Sequence, residues 1–129
     1  MEIKNIVDLN RFKSAPILNN DQKKIFLGEI DHKILQSDWI TIGIMALDDH
    51  IAIKTLKTIS SRYSSIKFNG LSSLAANGSV FLKGNQKTGN VYIRSENGLG
   101  EGILLTCQYD SETSESTTYG PFPLDFFIN

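Results

Sequence analysis

The sequence predicts an α+β fold: three helices, mostly N-terminal, packed on one face of a mainly antiparallel sheet that ends in a C-terminal β-meander, in the order α-α-β-α-β-β-β-β. Three observations carry this. Apolar residues recur at helical spacing through most of the first half and alternate with period two in the second. Turn residues such as Asn97-Gly98 separate the later segments at hairpin length. The 129 residues, 40% of them apolar, suffice for one core and are too few for two. A single α+β domain over residues 1–129 is therefore expected.

Ile3, Ile6 and Val7 share one helical face, and Pro16 closes that short first helix from beyond its end at Phe12. Asn20 or Asp21 offers a cap for a second helix to Gln36, where Phe26, Leu27, Ile30 and Ile34 form one apolar stripe. Gly28 weakens that helix and suggests a close packing contact. The period then changes. Trp39 to Met45 reads as a strand with Ile40, Ile42 and Ile44 on its core side. Asp48 and Asp49 cap a third helix, with Ile51, Ala52, Leu56, Ile59 and Tyr63 as its buried stripe, ended by Ser64-Ser65. Ile66 and Phe68 suggest a short strand, and residues 71–79 a loop. Strands follow around Val80 to Lys83, Val91 to Arg94 and Ile103 to Gln108, joined by hairpin turns. Asp110 to Thr118 reads as a solvated connection to an aromatic tail.

Composition narrows the function classes. Lys and Arg number 13 against 14 Asp and Glu, without the basic surplus of a nucleic-acid binder. Only an exposed stripe of Lys83, Lys87 and Arg94 with Tyr92 would revive that class. One cysteine allows no intrachain disulfide and suits a reducing compartment. The N-terminus lacks a secretory pattern, and the apolar run Trp39 to Leu47 falls short of the ~20 residues that span a bilayer. A cytoplasmic protein that binds no membrane is expected.

No catalytic, cofactor-binding or metal-ligating set emerges, so no cofactor is expected. Gly98-Leu99-Gly100-Glu101-Gly102 resembles a phosphate loop but opens no helix, and reads as a turn. Asp48, Asp49 and His50 gather at a strand-to-helix junction and form a candidate ligand cleft, although capping already explains the aspartates. His32 reads as a surface residue, and Cys107 as a buried, inert thiol. Tyr119, Phe122, Phe126 and Phe127 admit two readings: a clamp that closes the core, which we favour, or a surface that docks a partner. Pro121 and Pro123 stiffen this tail, with Phe122-Pro123 open to the cis form.

The run Val80-Phe81-Leu82-Lys83-Gly84-Asn85 with Lys87-Thr88-Gly89 resembles the hairpin of a cyanobacterial family of uncharacterised proteins, the domain of unknown function family 1824. Gly102 to Gln108 and the ending Thr118 to Phe127 share the resemblance, which covers about the final fifty residues. It implies a cyanobacterial cytosolic α+β protein and brings no activity or site residues. The leading functional expectation is a non-enzymatic protein-binding module in regulation or assembly, with an unknown protein partner or a second copy of the chain. The alternative is a small-molecule binder or enzyme using the Asp48-Asp49-His50 cleft.

Overall fold

The computed structural model describes residues 12, 17–63, 78–81, 87–95, 100–110 and 115–128. These hold two helices and five strands: α1 (Asn20–Gln36), β1 (Trp39–Ala46), α2 (Asp49–Arg62), β2 (Gly78–Phe81), β3 (Lys87–Arg94), β4 (Gly102–Asp110) and β5 (Glu115–Phe122). The α+β class holds. Two helices stand where three were expected, because the first, Ile3 to Phe12, lies outside the described residues except for Phe12. The strand expected at Ile66 and Phe68 also lies outside them.

Both helices start where local chemistry tells them to. Asn19, one residue before the expected cap, accepts a hydrogen bond from Gln22 N at 2.8 Å, while its own N–H donates to Gln22 Oε1 at 3.0 Å. Asp48 Oδ1 accepts from Ile51 N at 3.0 Å and so caps α2. Gly28 departs from expectation: outside its own turns of helix, no described atom lies within 4 Å of a Cβ built there.

The sheet is mixed, in the order β2-β3-β1-β4-β5, with β1 and β3 parallel and every other pair antiparallel. This corrects the expected meander. β1 has no charged residue and is buried along its length except at Trp39, so it belongs in the middle of the sheet. The connection from β3 to β4 is short enough for a hairpin but steps over the end of β1. Met45 pairs with Ile93 on one side and Gly102 on the other.

The fifth strand is the larger correction. Glu115 to Thr118, expected as a solvated connection, begins β5, a half-exposed edge strand on β4. Between the pairs Leu105↔Tyr119 and Ile103↔Phe122, β5 uses one residue more than β4, which makes a β-bulge. Gly120 supplies it with φ +111°, and the Gly120-Pro121 peptide is cis, one proline earlier than expected. The bulge decides which way the rings face. Tyr119 and Phe122 are three residues apart and would point to opposite faces of a regular strand. Here both face the core, each edge-on to Phe26 of α1, at 5.8 and 5.7 Å between centroids.

The main core lies between α1, α2 and one face of the sheet. It holds Ile40, Ile42 and Ile44 of β1, Ile103 and Leu105 of β4, and the tail aromatics. Ile103 and Leu105 are 1% and 2% exposed, as the helix-covered ribbon of strands requires. A smaller cluster of Met45, Val91, Ile93 and Leu104 fills the reverse face, where Phe12 covers it at 1% exposure.

Candidate functional site

The structure separates the residues singled out from the sequence. Phe122, Phe126, Phe127 and Tyr119 are between 0% and 7% exposed, so the clamp is the arrangement formed and these four rings make no open docking patch. Phe122 stacks on Phe126 at 4.3 Å, and Phe127 meets Tyr63 of α2 edge-on at 6.0 Å. The physical reason is the turn that follows β5. Phe126 N donates to Pro123 O and Ile128 N to Asp125 O, which folds both phenylalanines back under the helices. The buried hydroxyls of Tyr109 and Tyr119 lack a hydrogen bond of good geometry. Burial is the main cause that pushes the Tyr119 phenol far above its ordinary value, and Tyr109 adds to it.

At the Asp48-Asp49-His50 junction, Asp48 is the helix cap and Asp49 forms an exposed ion pair with Arg94 at 3.2 Å. His50 is exposed. Burial is the largest cause of the raised Tyr92 phenol beside them. Tyr92 is 4% exposed, so it joins no surface stripe with Arg94, and Lys83 lies outside the described residues. Cys107 is buried and unpaired, and burial pushes its thiol up, with Ser37 and Lys33 working against that shift. His32 is exposed. Gly100, at φ +87°, turns the chain between β3 and β4, while Gly98 and Leu99 lie outside the described residues. Among the described residues no three His, Cys, Asp or Glu side chains gather as a metal site would require. No described helix is long and apolar enough to cross a membrane.

What the structure does assemble is an open groove of about 620 Å³ along the outer side of α2, bounded by the end of the tail. Lys54, Lys57, Thr58, Ser61 and Arg62 line it from the helix, and Phe127 and Ile128 line it from the tail. The helix residues recur at three- and four-residue steps, opposite the buried Ala52, Leu56 and Ile59. The core interactions of α2 therefore aim these side chains outward in one row.

The charges of the row differ in state. Arg62 is held by Asp31 of α1 through contacts of 2.9 and 3.1 Å, and its Nε donates to Tyr63 Oη at 3.1 Å. Burial works against the guanidinium charge, but Tyr63 and Asp31 more than offset it, so its pKa is raised. Lys54 and Lys57 are exposed, and neither has an ion pair among the described residues. At the tail, Lys23 of α1 donates to Ile128 O at 3.0 Å and lies 5.2 Å from the Phe126 ring centre. Ile128 stays 46% exposed. The groove thus offers two unneutralised ammonium groups, two hydroxyls and an apolar end, which suits binding of an anion with an apolar portion. Among the described lining residues no nucleophile is paired with a base. Lys54, Lys57 and Ser61 were not singled out from the sequence, where only their common spacing marks them.

A family model described as "Domain of unknown function (DUF1824)" matches residues 4–127, and the chain belongs to that family. No curated protein and no solved structure matches the chain.

Proposed function

We propose that this member of the family is a non-enzymatic binding module, which docks an acidic, partly apolar segment of another protein in the groove between α2 and the Phe127-Ile128 end. The observation that carries the reading is the pair Lys54 and Lys57. Both stand without an ion pair among the described residues, in a groove that ends on apolar side chains. Small-molecule sites usually enclose most of their ligand, whereas this groove lies open along a helix and suits an extended chain. Ile53, 43% exposed beside Lys57 on the helix, adds apolar contact. The proposal includes a cytosolic, cyanobacterial setting and a role in regulation or assembly. The buried, unpaired Cys107 suits a reducing compartment, and the resemblance of the C-terminal motifs supports the source.

Exposed ion pairs contribute at most about 1 kcal/mol each, so micromolar affinity or weaker is expected. Binding should also weaken with salt, because screening acts over ~8 Å at physiological ionic strength. Calorimetric titration with a short peptide of glutamate and leucine tests this. The double variant Lys54→Glu/Lys57→Glu should bind at least about tenfold more weakly, a loss near 1.4 kcal/mol. Equal affinity in the variant, or no binding by the wild type, would contradict the reading.

A further inference from the structure

The α2 groove presents its charged and its apolar contacts at different heights along the helix. Phe127 meets Tyr63, the residue that caps the C-terminal end of α2, at 6.0 Å between ring centres, so the apolar part of the lining lies at that end. Lys57 and Lys54 stand six and nine residues before Tyr63. At 1.5 Å of rise per residue, that is about 9 and 13.5 Å back along the axis. The cations nearer the apolar end are engaged within the chain. Arg62 is held by Asp31 at 2.9 Å, and Lys23 donates to Ile128 O and does not line the groove. The Thr58 hydroxyl donates to the backbone oxygen of Lys54 at 3.0 Å. A carboxylate in the groove therefore meets Lys57 and Lys54, away from the end where Phe127 stands.

An extended segment advances ~3.3 Å per residue and turns alternate side chains to one face. We propose that the groove reads one spacing in such a segment: an apolar residue on Phe127 and Ile128, with carboxylates two and four residues from it, on Lys57 and Lys54 in that order. Two and four residues of extended chain span about 6.6 and 13 Å. The farther carboxylate falls at Lys54. The nearer one falls about 2 Å short of Lys57, within the sweep of a flexible lysine stem. Carboxylates one and three residues from the apolar anchor would point to solvent. The inference rests on the groove being a docking site for an acidic, partly apolar segment, and adds the arrangement of residues that it selects.

Calorimetric titration with two peptides of one composition, Leu-Ser-Glu-Ser-Glu and Leu-Glu-Ser-Glu-Ser, each blocked at both termini, tests it. Each is also made in the reverse order, because spacing sets distances and not chain direction. In at least one direction the even-spaced peptide should bind at least about fivefold more tightly, since its ion pairs form together with the leucine contact. Charge exchange then reads the order. Lys54 and Lys57 are exposed, so circular dichroism should show the fold retained in variants of either. Lys57→Glu should weaken binding of the even-spaced peptide and recover it when lysine replaces the glutamate nearer the leucine. Lys54→Glu should recover it only with lysine at the farther position. Equal affinity for even and odd spacing, or recovery irrespective of position, would overturn the spacing and leave the groove as a docking site. Failure of every glutamate–leucine peptide to bind would overturn the groove reading and the spacing with it.

Discussion

Replacing Phe122 with alanine should leave the protein close to unfolding. The ring is fully buried, stacked on Phe126 at 4.3 Å and edge-on to Phe26 and Phe127 at 5.7 and 5.8 Å. A core phenylalanine reduced to alanine costs about 3–5 kcal/mol, through lost burial plus the cavity left behind. Aromatic pairs add ~0.5–1.5 kcal/mol beyond their area. Phe122 makes three such contacts, so a loss at the upper end of the range, about 4–5 kcal/mol, is expected. That is from about a third to nearly all of the ~5–15 kcal/mol by which a domain is stable. Urea unfolding followed by far-ultraviolet circular dichroism and by fluorescence of Trp39, the single tryptophan, measures it. With a slope of ~1–3 kcal/mol per molar urea, the midpoint should fall by about 2 M. Phe122→Leu should lose roughly half as much, since it refills part of the cavity. A loss below about 1 kcal/mol for Phe122→Ala would mean that the ring is not packed in the core, and the bulge argument would fail with it.

Gly120→Ala should cost more than ~2 kcal/mol in the same assay, because φ +111° strains any side chain and a Cβ there would stand 2.5 Å from Ile103 O. A neutral result would refute the bulge geometry. Tyr119→Phe should be neutral or stabilise by up to ~1 kcal/mol, since it removes a buried hydroxyl that lacks a good partner; a clear loss would show that the hydroxyl is bonded. Stability should fall in alkali. Cys107 and Tyr119 have folded pKa values raised above the ordinary 9.0 and 10.0. Their contribution is therefore complete below those ordinary values and is lost as pH climbs from them toward the folded ones, by up to about 1.4 kcal/mol per pH unit for each group. Urea midpoints at pH 7 and pH 10.5 check this, and equal midpoints would contradict it.

Local features were legible in the sequence because local physics determines them. The shift from helical to alternating period marked β1, and Asp48 before an apolar stripe marked the start of α2. The place of β1 in the sheet was not legible. A connection that steps over one strand is as short as a hairpin loop, so turn chemistry between β3 and β4 could not separate a meander from a sheet with β1 inserted. The absence of charge on both faces of Trp39 to Ala46 was the available clue. β5 escaped because its first half is polar and half-exposed and its second half carries a bulge, which breaks the alternation that marks a strand. The candidate site was hidden for another reason. Lys54 and Ile128 are far apart in the chain, and only the folding-back of Phe126 and Phe127 brings the tail to α2.

Nuclear magnetic resonance mapping tests the central claim, that the cationic face of α2 is the working surface, most directly. Titration of isotope-labelled protein with the glutamate–leucine peptide should shift the amides of Lys54, Lys57, Thr58, Ser61 and Ile128 together and saturably. Shifts concentrated instead at Asp48, Asp49 and His50, or spread evenly over the surface, would contradict it.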